Sequence, residues 1–315
     1  MSDQKVIAVL GATGAQGGGL VRAIMEDADG EFTARALTRN PDSDKARALS
    51  ALGAEVVAAD VDDPESLRAA FDGAYGAYCV TFFWEHMSPQ RELEQARAMA
   101  GAAREAGLMH VIWSTLEDTR QWIPLGDDRM PTLMENYKVP HFDAKGEANA
   151  VFETAVPTTL LLTSFYWDNL IHFGMGPRRD DSGNLGFALP LGDAKLPGIA
   201  AEDIGRCAYG VFKAGEEYIG RTVGIAGGHL TGVEMAAALS DAYGQTVSYI
   251  AVPFETYRSL DFPGADDLGN MFQFNHDFED YFCGARSVAE SRSLNPLLKT
   301  FDAWLAENVE RIPQG

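Results

Sequence analysis

The clearest chemical feature of the chain is the glycine-rich segment Gly11-Ala-Thr-Gly14-Ala-Gln-Gly17. It follows the apolar, β-branched run 5–10 and precedes a segment whose apolar residues recur at helical spacing. Glycine accepts the positive φ of a sharp turn and lets a diphosphate approach the amides at a helix N-terminus. A strand, a glycine loop and a helix in this order predict a dinucleotide site. The alternative is an incidental glycine-rich turn.

The residues after the second predicted strand indicate which dinucleotide is bound. The sequence Leu37-Thr-Arg39-Asn-Pro41 has no acid at the position where NAD-binding Rossmann proteins hold the ribose hydroxyls. A guanidinium there can donate two aligned hydrogen bonds to the 2′-phosphate of NADP. We therefore predict NADP(H) as cofactor and Arg39 as its phosphate ligand. The alternative is a solvated surface arginine.

A third feature that could do chemistry is the pair His141 and Lys145. Four positions apart on a helix, the two side chains share one face. Histidine can donate a proton near neutral pH, so His141 and Lys145 are the candidate catalytic residues. The alternative is a histidine that starts the helix without a catalytic role. The six histidines form no HxH or HExxH pattern, and no metal site is predicted.

The hydrophobic pattern of the first half predicts the scaffold that positions these residues. Helix-like segments alternate with strand-like runs at 5–10, 32–37, 55–59, 77–80, 111–114 and 158–162. This alternation predicts an α/β protein with a doubly wound parallel sheet of the Rossmann type. We assign residues 1–163 to an NADP(H)-binding domain.

The regular alternation of strands and helices ends after the sixth predicted strand. Residues 164–315 are assigned to a smaller α/β domain that binds a substrate or a partner. Gly and Pro over 174–200 favour loops with a short hairpin, and strands are predicted at 223–226 and 245–252. Thr231 and Glu234 form a capping-box pattern for a helix that ends near Gly244, and another helix is predicted at 264–275. Some of these segments are expected to return to the Rossmann sheet.

Composition excludes several classes of partner. The formal charge of −21, from 46 acidic and 25 basic residues, disfavours direct binding to nucleic acid. No apolar run reaches the roughly 18 residues of a membrane helix, and the N-terminus has no signal-peptide pattern. The three cysteines, scattered and odd in number, predict no disulfide framework. A cytoplasmic location is the expectation.

Three segments carry a resemblance to a known family. The glycine loop at 11–17, Thr38-Arg-Asn-Pro41 and His141-Phe-Asp-Ala-Lys145-Gly-Glu147 resemble the NmrA-like atypical short-chain dehydrogenases/reductases. The resemblance spans nearly the whole chain through further matches at 52–57, 72–75, 262–265, 270–272 and 294–296. It implies NADP(H) binding, and in several members regulation of partner proteins in place of turnover. An insertion around 122–140 departs from the animal members and puts any shared partner in doubt.

Matched position by position, the resemblance implies a set of cofactor contacts. Arg39 and Asn40 correspond to the 2′-phosphate end, 60–61 to adenine, 81–83 to ribose and nicotinamide, and Lys145 with 166–169 to the nicotinamide end. The full set is Gly11, Thr13, Gly14, Ala15, Gln16, Gly17, Arg39, Asn40, Asp60, Val61, Thr81, Phe82, Phe83, Lys145, Tyr166, Trp167 and Asn169.

Working short-chain dehydrogenases use Tyr-x-x-x-Lys on the helix after strand five, with a serine at the end of that strand. In this chain Ser114 is present, but His141 stands in the place of the tyrosine. Lys145 can still hold the nicotinamide ribose. Tyr209-x-x-x-Lys213 has the required spacing, but it lies beyond strand six, so Tyr209 is predicted to pack in the core.

Two functions are consistent with the sequence. The missing tyrosine favours an NADP(H) redox sensor or regulator with little or no turnover, acting on a protein partner. The other function is an NADPH-dependent oxidoreductase that acts on a quinone or an enone-like small molecule. The segments 122–140 and 254–278 are predicted to move with cofactor state, because both should lie near the nicotinamide end. The chain is expected to be a monomer or a homodimer.

Overall fold

Strands and helices alternate along the described part of the chain, residues 4–314 of a computed structural model. The prediction that the N-terminus has no signal-peptide pattern falls partly on residues 1–3, which lie outside this range. The strands are β1 (Lys5–Val9), β2 (Phe32–Thr38), β3 (Glu55–Ala58), β4 (Gly76–Cys79), β5 (His110–Thr115), β6 (Thr158–Leu162), β7 (Phe165–Tyr166), β8 (Arg178–Arg179), β9 (Leu185–Leu189), β10 (Lys195–Ile199), β11 (Thr222–Gly224), β12 (Gly228–Thr231) and β13 (Val247–Ala251). The α-helices are α1 (Ala15–Glu26), α2 (Asp44–Ala51), α3 (Pro64–Phe71), α4 (Pro89–Glu105), α5 (Pro140–Ala155), α6 (Asn169–His172), α7 (Ala201–Ala214), α8 (Gly232–Tyr243), α9 (Phe254–Arg258), α10 (Ala265–Asp277), α11 (Glu279–Gly284), α12 (Val288–Leu294) and α13 (Phe301–Asn308).

The central sheet has seven strands in the order β3-β2-β1-β4-β5-β6-β11. Every neighbouring pair is parallel. The first six strands have the Rossmann order, so the predicted fold class is confirmed. Because β11 comes from the second half of the chain, at least one later segment returns to the sheet. The domain division at residue 163 remains a prediction.

One face of the sheet is covered by α1 and α7, which pack backbone against backbone. A Cβ atom built on Gly19 would lie 2.3 Å from the carbonyl oxygen of Glu202, and one on Gly205 would lie 2.1 Å from the amide nitrogen of Leu20. Sequence analysis did not predict α7. The helix α7 places Tyr209 in the core, 5% exposed, where the phenol donates to Asp27 Oδ2 at 2.8 Å. The prediction that Tyr209 is a core residue is therefore confirmed.

The second half, together with apolar residues of the segment 123–142, forms a separate core beside the carboxyl edge of the sheet. Two small sheets, β12-β10-β7 and β13-β9-β8, pack with α8 and α10 around Phe187 and Phe272. The predicted hairpin is β8 with β9, but β9 and β10 replace much of the loop expected over 174–200. The capping box of Thr231 and Glu234 at the start of α8 is confirmed. This half therefore forms a wall over the ends of the central strands.

Candidate functional site

A cavity of about 1910 Å³ opens at the carboxyl ends of β1, β2, β4 and β5 and continues under the second half of the chain. All of the predicted cofactor residues line it except Asp60 and Trp167, and His141 lines it too. The far side is formed mainly by apolar side chains of the second half, such as Phe173, Ile250 and Met271. The cavity therefore joins a loop suited to a dinucleotide with an apolar compartment.

The glycine loop has the geometry of a diphosphate cradle. Gly11 adopts φ +63°, and the Gly14 amide donates to the Gly11 carbonyl at 2.8 Å. Gly14 caps α1 without any side chain, and the first turn of α1 carries no acidic residue. A Cβ on Gly17 would lie 2.5 Å from the Gly11 oxygen, so the helix packs directly on the loop. Backbone amides and the helix dipole are thus open to an anion, as a bound diphosphate requires.

At the 2′-phosphate end, Arg39 is exposed but already paired. Its guanidinium donates to Glu85 Oε1 at 2.7 Å and to Glu85 Oε2 at 3.3 Å. Asn40, Ser43 and Lys45 line the same part of the cavity. Sequence analysis missed Glu85, because it lies 46 positions from Arg39 and outside any motif. A phosphate at Arg39 must compete with this carboxylate.

Two predicted cofactor residues do not reach the cavity. Asp60 Oδ1 accepts from the Asp62 amide at 3.0 Å, and Val61 lines the cavity in its place. Trp167 is 1% exposed, with its ring centroid 5.3 Å from that of Phe301. The indole is buried between α13 and Gly198 of β10 in the core of the second half, so the prediction that Trp167 contacts the cofactor is corrected. Its neighbours Tyr166 and Asn169 do line the cavity.

Lys145 is held by a buried acidic partner that the sequence did not reveal. Its ammonium donates to Thr81 Oγ1 at 2.6 Å and lies 2.9 Å from Glu92 Oε1. Burial by itself would raise the pKa of Glu92, but the Lys145 ammonium, the nearby His86 ring and the hydrogen bond from Thr81 lower it to about 2. Glu92 therefore stays ionised near neutral pH. The ammonium also donates to the Thr81 carbonyl at 3.4 Å, so Thr81 and Glu92 together fix it in the cavity wall.

Gln16 links the glycine loop to the strand ends. Its Oε1 accepts from Ser114 Oγ at 2.8 Å and from the Tyr78 phenol, and its Nε2 donates to Tyr166 Oη. Burial raises the pKa of Tyr166 to about 12, so this phenol stays protonated near neutral pH and is poorly matched to proton exchange there. Ser114 and Tyr166 thus hold the glycine loop in place through the side chain of Gln16.

His141 lies in the cavity wall and is fixed from behind by Asp267. The imidazole Nδ1 is 2.6 Å from Asp267 Oδ1, and the His141 amide donates to Asp267 Oδ2 at 3.1 Å. A carboxylate accepts but does not donate, so Nδ1 carries the hydrogen and Nε2 is left for a cavity ligand. The aromatic rings of Trp84, Phe83 and Phe142 pack around the imidazole. Sequence analysis identified His141 but missed Asp267.

The two segments predicted to move are bonded to each other. On α10, Asn270 Nδ2 donates to the Pro131 carbonyl at 2.9 Å, and Gln273 Nε2 donates to the Arg129 carbonyl at 2.8 Å. Asp143 accepts hydrogen bonds from the backbone amides of Thr119 and Lys138, both at 2.7 Å. These bonds fix the chain near both ends of the insertion. Any movement of the insertion therefore involves α10 and, through Asp267, His141.

Two further classes of site can be addressed in the described residues. Within 4–314, no group of three or more His, Cys, Asp or Glu side chains is arranged to hold a metal ion. In the same range no helix is long and apolar enough to cross a membrane.

Strand order, glycine loop and cavity define a Rossmann-type α/β protein of the dinucleotide-binding kind. The chain belongs to the NmrA-like family, whose profile matches residues 3–305. It is 30% identical over 290 residues to the NmrA-like family domain-containing oxidoreductase FrzB of Cladobotryum sp, covering 85% of this chain and 83% of that protein. The predicted family is confirmed.

Solved structures with the same fold include both a regulator and reductases. NmrA, a negative transcriptional regulator, in complex with NADP superposes with a TM-score of 0.80 at 22% identity, covering 98% of this chain and 97% of NmrA. The Citrobacter sp. triphenylmethane reductase complexed with NADP(H) gives 0.73 at 20% identity, with 96% and 99% covered. An NADPH-dependent quinone oxidoreductase from Escherichia coli gives 0.69 at 21%, with 96% and 99% covered.

Proposed function

We propose that this chain is an NADP(H)-dependent oxidoreductase that acts on a quinone or enone-like compound. The observation that carries the proposal is His141, which Asp267 orients in the wall of an apolar cavity continuous with the glycine loop. The residues 11–17, Arg39 and Asn40 would hold the cofactor phosphates, and Lys145 a ribose hydroxyl. Residues 1–163 would thus supply most of the cofactor site and residues 164–315 most of the substrate compartment.

NADPH, when bound, would supply a hydride, and the chain would have to supply a proton and exclude water. His141 fits the first task, because Asp267 fixes the imidazole through Nδ1 and leaves Nε2, when it carries a proton, to donate to a substrate oxygen. Phe83 and Trp84 fit the second, since their rings lie 6.0 and 4.7 Å from the imidazole and shield it from solvent. His141 would therefore take the place of the missing tyrosine as proton donor.

The regulatory function remains the second candidate, and one observation favours it. Arg39 is paired with Glu85, so a cofactor phosphate at Arg39 has to compete with that carboxylate, and its binding can be coupled to a change of conformation. The partner would then be a regulated protein. The relatives include proteins named for each role, an oxidoreductase and a transcriptional regulator.

The two candidates are separated by a turnover assay. NADPH oxidation is followed with a panel of quinones and conjugated enones, and limited proteolysis is run with NADPH, NADP⁺ or no ligand. Turnover on the order of 10 s⁻¹, a typical enzyme value, supports the oxidoreductase. Binding of NADPH without turnover, combined with different protection of 122–140 and 254–278 by the two redox forms, supports the sensor.

Arg39 and Glu85 are expected to set cofactor preference in opposite directions. Arg39→Ala should weaken NADPH binding at least tenfold and leave NADH binding nearly unchanged, since charge-assisted bonds to a phosphate are worth about 1.5–3 kcal/mol. Glu85→Gln should tighten NADPH binding, because it removes the competing carboxylate. Calorimetric titration of each variant with both cofactors measures the two effects. Equal affinities of the wild type for NADPH and NADH would contradict the assignment.

Gly14 and Gly17 are expected to fail in different ways when a side chain is added. Gly14 has φ −88° and ψ 179°, which any residue adopts, so Gly14→Val should fold but lose NADPH binding, because its side chain fills the diphosphate position. Gly17→Val should instead lower the stability, since its Cβ meets backbone atoms at 2.5 and 2.7 Å. Urea denaturation and calorimetry distinguish the two variants. Wild-type affinity in Gly14→Val would show that the loop is only a turn.

A further inference from the structure

One face of the small sheet β13-β9-β8 is turned away from the core and toward the cavity. Alternate residues of β9 are buried in the core of the second half, so the residues between them lie on the opposite face. The pairing of β9 with both neighbours brings one residue of β8 and two of β13 onto that same face. The residues on this face, all of which line the cavity, are Arg178, Gly186, Ala188, Ser248 and Ile250. The sheet therefore forms one wall of the apolar compartment.

The apolar side chains at this wall are accessible to a ligand. Ile250 is 50% exposed, and Phe173, which follows α6, is 55% exposed. The Ile250 side chain lies over the neighbouring strand, because a Cβ built on Gly186 would be 2.7 Å from Ile250 Cδ1. Further exposed apolar residues that line the same cavity are Phe82, Leu260 and Phe262. Exposed apolar side chains grouped in this way mark binding sites, so the wall suits the apolar body of a substrate.

Arg178 adds a positive charge to this wall without a carboxylate beside it. Two other arginines that line the cavity are each paired, Arg39 with Glu85 at 2.7 Å and Arg91 with Asp62 at 2.6 Å. The exposed Arg178 forms no ion pair within residues 4–314, and its Nη2 donates to the carbonyl oxygen at position 174 at 3.2 Å. This hydrogen bond holds the guanidinium next to the exposed ring at position 173.

The charged neighbours of Arg178 are engaged in local hydrogen bonds. Asp180 accepts two backbone amides of its own turn, both at 2.9 Å. Arg179 donates to the side chain of Gln314 at 2.8 Å. Arg178 also borders a smaller cleft of about 290 Å³, whose other lining residues are uncharged: Leu170, Gly174, Gly176 and Pro313. The guanidinium of Arg178 can therefore donate to an anion that enters the compartment.

We propose that Arg178 binds a carboxylate of the substrate, whose apolar body lies on the exposed face of the sheet β13-β9-β8. This inference rests on the proposed function and specifies its substrate class, a quinone or enone-like compound that carries a carboxylate. A guanidinium donates charge-assisted hydrogen bonds to a carboxylate, and these are stronger than bonds between neutral groups. Because the chain has a net charge of −21, an anionic compound is bound only where a cation compensates that charge. Arg178 therefore selects both the charge and the orientation of the substrate.

Binding of two matched probes tests the site without turnover. The wild type, saturated with NADP⁺ at low salt, is titrated with naphthalene-2-carboxylate and with naphthalene-2-carboxamide, its neutral isostere. We expect the carboxylate to bind about five- to tenfold more tightly. Arg178→Gln should abolish this preference, and Arg178→Glu should reverse it. Because the side chain is exposed, both variants are expected to fold. Ile250→Ser should weaken the binding of both probes by a similar factor.

Arg104→Glu is the matched control for the change of net charge. Arg104 is exposed in the last turn of α4 and does not line the cavity, so this variant should keep the preference for the carboxylate. Equal binding of the two probes by the wild type, no binding of either, an unchanged preference in Arg178→Glu, or the same reversal in Arg104→Glu overturns the proposal. If the preference holds but no quinone or enone is reduced, the proposed reaction fails and the binding site stands.

Discussion

Replacing His141 with alanine is expected to lower kcat for the reduction of a quinone or enone by about 10²–10⁴-fold, the usual worth of a positioned general acid. NADPH affinity should change little, because the phosphate contacts lie on the glycine loop and Arg39. The variant keeps the cavity open and removes only the group whose Nε2 faces it. Steady-state assays with NADPH and calorimetric titration give the two quantities separately.

Asp267 should act only through His141, and a double-mutant cycle can show it. Asp267→Asn is expected to lower kcat, because the amide no longer holds the imidazole Nδ1 as the carboxylate does. In the His141→Ala background the same substitution should have almost no further effect, as residues that act as a unit are not additive. His276→Ala is the matched control, since this histidine pairs with Asp277 at the end of α10 and does not line the cavity. Full activity of His141→Ala would exclude histidine as the proton donor.

Arg286→Met is expected to lower the free energy of unfolding by about 3–5 kcal/mol, because it leaves a buried carboxylate unpaired. The Arg286 side chain is fully buried and donates to Glu117 at 2.7 and 2.9 Å and to the Thr163 carbonyl at 2.7 Å. Its guanidinium also lies 3.7 Å from the centroid of the Phe282 ring. The pair joins the end of β5 to the chain after α11, so the loss should also loosen the cavity wall at Thr163 and Phe282. Urea denaturation measures the change.

Two further variants separate the buried charge from the rest of the contact. The double variant Glu117→Leu with Arg286→Met should recover much of the loss, since no unpaired charge remains. Arg221→Met is the surface control, because Arg221 pairs with Glu290 at 3.0 Å in an exposed position and should cost less than about 1 kcal/mol. A loss in Arg286→Met no larger than in this control would show that the buried pair contributes little.

The sequence was most informative where structure and chemistry are local. The glycine loop could be read because turn, helix start and anion site lie within seven consecutive positions. The strands of the central sheet could be read because a buried parallel strand is a short run of apolar residues. The helix α7 was missed, since its Gly205 and Gly210 weaken a local helix signal and make sense only against the backbone of α1 and α12.

What the sequence alone determined is the family, the Rossmann sheet, the glycine loop and the pair of His141 and Lys145, because each is written in neighbouring residues. Only the tertiary structure decided which distant side chains pair with the functional residues. Asp267 lies 126 positions from His141, and Arg286 lies 169 positions from Glu117. The burial of Trp167 in the core and the pairing of Glu85 with Arg39 could not be predicted either. Side-chain partners depend on how distant segments pack, and no local pattern encodes that packing.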